Sequence, residues 1–330
     1  MDKLISPIYV VGGRQKKAFT KPQEEYNRFG TAIIATYDVN LDGMIKATYK
    51  SPDELCASED HCSILFKSGS IHGNNLVTCT QTEILIYSLD DFSIEKHISL
   101  PYFNDIHHVV KTDDDTLLIV VTGLDLIVEI DMDGNTKNEW DALSNPLWSK
   151  FSRDIDYRKI LTTKPHDSHP NFVFKYKDDV WISRFEQRDA HCLTDRTKTI
   201  DIGIEKPHDG HVYGNRVFFT TVDGHVVIAN LDTLEVERII NLHECAGADK
   251  ATGWARGLKI VDEKHVLVGF STLRVTKFRE NLRWFKKKAG VIENHIVSPT
   301  HFALYDIENE KMLWRKFTDD TGVDVIFSIL

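Results

Sequence analysis

Four histidines, His61, His107, His169 and His208, stand at corresponding places beside short apolar runs, in a chain with fifteen histidines. A neutral imidazole can ligate a divalent metal, move a proton near neutral pH, or bond to backbone and water. Asp60, Asp105, Asp167 and Asp209 lie next to or close to these rings in sequence and are able to orient them. Arg256, beside Gly257, adds a guanidinium suited to a two-pronged grip on a carboxylate or phosphate. The residue types therefore allow three readings. In the first, His61, His107, His169 and His208 hold a divalent metal of unassigned identity. In the second, His169, His208 and Arg256 carry metal-free catalysis or anion binding. In the third, the histidines line a wet polar channel without chemistry. His108, His166 and His211 are the nearest substitutes if the register is off by one.

Elements that repeat must bring such residues together. Apolar β-type runs recur between turns rich in Asp, Gly and Asn, and long amphipathic helices are lacking. Ile106–Lys111, Leu117–Val121 and Leu126–Ile130 form one such group, closed by the turn Asp131–Asn135. Similar groups begin at His61–Phe66, His169–Tyr176, His208–Tyr213 and Ala255–Val261. Their intervals mostly suit four-stranded propeller blades of roughly 40 to 50 residues. The longer interval before His169 leaves room for an insertion near 141–164.

Five blades counted this way leave both chain ends unassigned. Val323–Ile329 reads as one innermost strand without partners. Ile8–Val11, Gly30–Val39 and Met44–Tyr49 read as three strands lacking an innermost one. Together they complete a sixth blade. The expectation is an all-β, six-bladed β-propeller spanning residues 1–330 as a single domain, its ring closed by the C-terminal strand pairing with N-terminal strands. A pair of β-sandwiches is the alternative. In the propeller, the starts of the innermost strands gather the histidines, with Trp254-Ala255-Arg256 from the fifth blade and Thr321–Asp324 from the sixth.

The stretches Lys206-Pro207-His208-Asp209-Gly210-His211, Gly253-Trp254-Ala255-Arg256-Gly257-Leu258 and Val268-Gly269-Phe270-Ser271-Thr272-Leu273-Arg274 follow one another in an order that resembles an uncharacterised bacterial β-propeller family. The resemblance covers roughly Lys206–Leu330. Phe270 stands where that family's pattern has Leu. The resemblance implies the fold and no activity.

Six Trp, ten Tyr and seventeen Phe can build a large core, and a net charge of −10 disfavours nucleic acid as a partner. No apolar run is long enough to cross a bilayer as a helix, no signal-like N-terminus stands out, and five scattered cysteines without a CxxC suit reduced thiols. A cytoplasmic protein without a membrane partner is expected. P-loop, dinucleotide and Gly-x-Ser-x-Gly fingerprints are absent, and Asp131–Asn135 lacks the further ligands of a calcium loop.

One segment breaks the pattern. Arg274–Lys288 carries Arg274, Lys277, Arg279, Arg283, Lys286, Lys287 and Lys288 against the single acid Glu280, with Phe278, Leu282 and Phe285 at helical spacing. It reads as a basic insertion at 274–296 in the fifth blade: a lid, a docking element for an acidic protein, or a solvated face. Arg188–His191 reads as a loop after a second strand. Two functional classes follow. One is an enzyme of lyase, isomerase or hydrolase type acting on a small polar anionic molecule in a His-lined channel. The other is a non-catalytic binding or scaffolding propeller.

Overall fold

Residues 7–16, 28–55, 62–247, 253–272 and 298–330 are described in a computed structural model. Short antiparallel strands of three to nine residues dominate because Val, Ile, Phe and Tyr alternate or run together between tight turns. The chain begins with β1 (Ile8–Gln15), β2 (Phe29–Tyr37) and β3 (Gly43–Tyr49). The first blade is β4 (Ser68–His72), β5 (Asn75–Cys79), β6 (Ile84–Ser88) and β7 (Ile94–Ile98). The second is β8 (Ile106–Lys111), β9 (Thr116–Val121), β10 (Leu126–Asp131) and β11 (Thr136–Asp141). The third is β12 (Pro170–Tyr176), β13 (Asp179–Arg184), β14 (Asp189–Cys192) and β15 (Thr199–Asp201). The fourth is β16 (His211–Tyr213), β17 (Arg216–Thr221), β18 (His225–Asn230) and β19 (Val236–Asn241), followed by the single helical turn α1 (Leu242–Cys245). The fifth is β20 (Trp254–Ile260), β21 (His265–Ser271), β22 (His301–Asp306) and β23 (Lys311–Phe317). Finally β24 (Val325–Ile329) joins β1, β2 and β3 as the sixth blade.

The six sheets form a ring, a six-bladed β-propeller. The six principal apolar clusters lie one in each gap between neighbouring blades. Val77, Ile106 and Ile119 fill the gap between the first and second blades; Leu118, Val120 and Val173 fill the next. Successive residues of β9 thus face different blades, so a middle strand is buried on both sides and reads as a continuous apolar run. Outer strands such as β11 (Thr-Lys-Asn-Glu-Trp-Asp) meet solvent and are polar.

Closure occurs as the sequence suggests. β24 pairs antiparallel with β1, Val10 opposite Ile329 and Gly13 opposite Val325. The approach is close enough that a Cβ on Gly12 would fall 1.8 Å from the Val325 carbonyl oxygen. Ser271 Oγ accepts from the Ile326 amide at 3.0 Å and donates to the Ile326 carbonyl at 3.3 Å, fastening β24 to the fifth blade as well.

Several details differ from expectation. The first blade's innermost strand is Ser68–His72, not His61–Phe66. Leu65 packs with Phe29, Val325 and Phe327, and Phe66 packs between the sixth and first blades, so that apolar run precedes the strand. The strand itself needs small residues: a Cβ on Gly69 would touch Leu330 and Val11 at 3.0 and 3.1 Å. The stretch around Arg188–His191 is not a loop throughout, since Asp189–Cys192 is β14. Val323 and Asp324 precede β24, and His208 precedes β16. His61, Asp60, Cys56 and the basic insertion at 274–296 lie outside the described residues. No helix among the described residues is long and apolar enough to cross a membrane.

Loss of β24 removes a central strand and opens the ring. Truncation after Thr321 should therefore abolish cooperative unfolding or yield insoluble protein. A thermal melt followed by circular dichroism checks this, and a midpoint within a degree or two of the full-length chain would contradict it.

Candidate functional site

All innermost strands begin at the same end of the ring, and the candidate residues gather there. His107 is the second residue of β8, His169 immediately precedes β12, and His208 lies three residues before β16. The His107 ring meets His169 edge to face, with centroids 4.9 Å apart, and lies 6.2 Å from His208. His169 in turn shares an Nδ1 to Nδ1 hydrogen bond of 2.9 Å with His166, a residue first considered only as a substitute.

The first blade contributes Lys67. Lys67 immediately precedes β4, the place that His169 takes before β12. Its ammonium is buried and forms an ion pair with Asp105 Oδ1. The same oxygen lies 3.4 Å from His107 Nε2. On the other side of the ring, His107 Nδ1 is 2.7 Å from Asn171 Oδ1. Asn171 Nδ2 donates to the Pro207 carbonyl at 3.0 Å, which fixes the amide so that Oδ1 faces the histidine. Nδ1 of His107 thus donates to Asn171, while Nε2 faces the Asp105 carboxylate.

A second chain of bonds fixes His169. Thr163 Oγ1 donates to the Gly123 carbonyl, so it accepts from His166 Nε2 at 3.3 Å. His166 Nδ1 is then the acceptor for His169 Nδ1–H, and Nε2 of His169 is the unprotonated nitrogen. The backbone leading into His169 is held by one carboxylate. Asp125 accepts from the amides of Asp167, Ser168 and His169 at 2.8, 3.2 and 2.7 Å.

The electrostatics follow from burial. Desolvation lowers the basicity of His107, with Asp105 opposing it, and lowers His169 well below the usual imidazole range, with the neighbouring His107 adding to the effect. Burial alone would raise the Asp105 carboxyl, yet Lys67 and His107 outweigh it and hold it well below the ordinary carboxylate range. Asp105, His107 and His169 line a small cavity of about 20 Å³ with Gln81, Leu161, Thr162 and Lys164. Leu161, Thr162 and Lys164 belong to the long connection between β11 and β12, where the expected insertion does occur.

Other candidates fall elsewhere. Arg256 is buried, its guanidinium 4.9 Å from the Trp254 ring and 4.6 Å from the Phe327 ring. Phe327 also lies 6.0 Å from His208, so it stands between Arg256 and the histidines. Arg256 lines a separate cavity of about 10 Å³ with Arg28, Ser271, Thr272 and Asp324. Lys164 lines the histidine cavity and Lys67 pairs with Asp105 beside it; sequence reasoning missed both, along with Gln81 and Asn171. His108 stacks on Phe172 at 3.6 Å and accepts from the Val173 amide at 3.3 Å, a packing role. Asp167 pairs with Lys150 on the surface. Among the described residues, no group of three or more His, Cys, Asp or Glu side chains is placed to hold a metal ion. The Nδ1 atoms of His107 and His169 are already committed to Asn171 and His166. Cys62, Cys79, Cys192 and Cys245 are buried.

Asp209 is a further buried group at this end, accepting a hydrogen bond from Thr220 and lying 3.9 Å from His211 Nε2. Burial pushes its carboxyl from 3.8 up to about 7, although Thr220, the Gly257 and Leu258 amides and Arg256 all favour the anion. The folded state therefore keeps a proton that the unfolded chain has released, and this group's contribution to stability falls as pH rises between those values. Asp209→Asn cannot ionise. In urea unfolding from pH 4 to 8, the variant should gain on the wild type through that window and then hold a constant difference. A difference independent of pH would show that Asp209 is already ionised when buried.

No protein-family model matches this chain, and no curated protein matches it. Among solved structures, a crystal structure of a protein of unknown function from Bacteroides caccae is similar, with a TM-score of 0.60 and 12% sequence identity over 98% of this chain and 98% of that chain. At that identity the likeness shows the six-bladed propeller fold alone.

Proposed function

We propose that the end of the ring where the innermost strands begin is an acid–base site for a small polar anionic molecule, and that the protein is an enzyme of lyase, isomerase or hydrolase type. The observation that carries this reading is the His107 ring, held by Asn171 on Nδ1 with Nε2 facing the Asp105 carboxylate at a cavity. A proton-transferring imidazole needs a fixed orientation and a partner that tunes its charge, and Asn171 and Asp105 supply both. Lys164 supplies positive charge at the cavity in a protein of net charge −10, which favours an anionic group locally. The cavity of about 20 Å³ has room for about one water-sized group. A carboxylate or phosphate oxygen enters it while the rest of the molecule stays outside, against the exposed Lys164.

The test is a thermal-shift screen of small carboxylates, phosphate esters and sulfate on the whole chain. A ligand at a hundred times its dissociation constant should stabilise the fold by about 2.7 kcal/mol. His107→Gln should weaken that effect at least tenfold. Hits with an acidic C–H should exchange it for solvent deuterium in the wild type and not in the variant. Binding without exchange or turnover of any hit would favour the non-catalytic reading. Equal protection of wild type and variant would remove the site from the function altogether.

A further inference from the structure

The two histidines that line the cavity present it with different nitrogens. Both nitrogens of His107 face acceptors, Asn171 Oδ1 at 2.7 Å and Asp105 Oδ1 at 3.4 Å. On His169 the two nitrogens part company. Nδ1 lies 2.9 Å from His166 Nδ1, and His166 Nε2 lies 3.3 Å from Thr163 Oγ1. The other neighbours of that hydroxyl, the Gly123 carbonyl and Asn104 Oδ1, are acceptors, so it spends its proton there and accepts from His166. His166 Nδ1 is then an acceptor, and His169 donates to it. Nε2 of His169 keeps a lone pair, with no hydrogen-bond partner among the described residues.

The surroundings stop that ring from turning. The rings of His107, His166 and Phe185 have centroids 4.9, 5.0 and 4.9 Å from its own. The His169 backbone is left-handed, φ 54°, a conformation that residues other than glycine seldom adopt. It is held from both sides. Asp125 Oδ1 accepts from the His169 amide at 2.7 Å, and the His169 carbonyl accepts from the Phe185 amide at 3.2 Å.

We propose that His169 Nε2 is the base of this cavity, and that His166 and Thr163 are positioning residues that keep its proton on Nδ1. The inference rests on the acid–base reading of the same cavity and assigns its proton acceptor. When a substrate gives up a proton, the Nε2 lone pair forms the new N–H bond. The electron pair of the broken bond stays on the substrate, and Nδ1–H stays on His166. The charged and titratable groups around the ring come from several elements. Lys67 precedes β4, Asp105 precedes β8, and His107 lies within it. Asp125 lies between β9 and β10, Lys164 and His166 precede β12, and His208 faces His107 from the fourth blade. Burial and the neighbouring His107 disfavour a charged His169, with Asp105 opposing them, so Nε2 is free at neutral pH.

Bromoacetate, a small carboxylate, tests this on the full chain. An unprotonated imidazole nitrogen attacks its methylene carbon, forming an N–C bond as the C–Br bond breaks and bromide leaves. Peptide mapping should find the label on His169, and chromatography after hydrolysis should give the Nε2 isomer. Relative to free imidazole, bromoacetate should react there about tenfold faster than neutral bromoacetamide. Between pH 6 and 8 the rate should change less than about twofold, whereas an ordinary imidazole of pKa about 6.5 gains about fourfold. His166→Phe removes the acceptor and should spread the label over both nitrogens. His166→Gln keeps an acceptor and should hold it on Nε2. Label on His107 instead, or on Nδ1 of His169 in the wild type, would overturn the assignment. An unchanged Nε2 preference in His166→Phe would overturn the positioning role. Equal reaction with bromoacetamide would remove the anionic reading and leave the base. A His169 that neither reagent labels until the chain is unfolded in urea would overturn the base itself.

Discussion

The pairing of β24 with β1 is the constraint on which the rest of this molecule depends. A four-stranded sheet of this size cannot bury its faces alone, and each gap between blades is filled from both sides. Only when β24 lies against β4 on one side and β20 on the other does every innermost strand have two neighbours. That closure gives the strand starts a common end. It brings Lys67, His107, His169 and His208, which lie far apart in sequence, around one axis. It also inserts Phe327 between His208 and Arg256, which separates the histidine cavity from the cavity beside Arg256.

Around that axis the polar groups constrain one another. Asp105 adopts a left-handed backbone conformation, φ 51°, immediately before β8, and its carboxylate meets both Lys67 and His107. A buried ion pair of this kind contributes little net stability, since the desolvation of both partners offsets their attraction. Removing one partner is another matter, because it leaves a charge without compensation at a cost of about 3 to 5 kcal/mol. The pair therefore makes more sense as a positioning element than as a stabilising one. It holds a full negative charge beside His107 Nε2 and keeps that charge ionised despite burial.

Much of the ring was legible in the sequence because its blades repeat. Leu117–Val121 and Val226–Ala229 are buried on both faces and announce themselves as apolar runs, and Val323–Ile329 has no local partner, which points to closure with the N-terminus. His107, His169 and His208 were singled out from that repeat, and their rings do lie near one another. Ser68–His72 was missed because crowding against Val11 and Leu330 demands Ser and Gly, residues that carry no strand signal. With that strand displaced, Lys67 was invisible as the occupant of its ring position. Arg256 was placed correctly at a strand start, but no pattern in the sequence reveals that Phe327, seventy-one residues later, comes to stand beside it. Asn171 and Thr163 matter only through which tautomer they impose, a property that appears once hydrogen-bond partners are known.

A ring of similar blades offers six nearly equivalent places for a site, so something must break the symmetry. Here it is the connection from β11 to β12. Asn104 donates to the carbonyls of Tyr157 and Ile160 at 2.8 and 2.7 Å, and the Tyr157 ring enters the core between the first and second blades. The segment is thereby pinned over one sector of the ring. Farther along, Asp125, itself left-handed at φ 49°, gathers three consecutive amides ending at His169. These two anchors leave Leu161, Thr162 and Lys164 against His107 and His169, forming a cavity wall that lies between the second and third blades. The repeat supplies the imidazoles, and a long departure from the repeat decides which of them face a cavity and where a cation stands at the entrance.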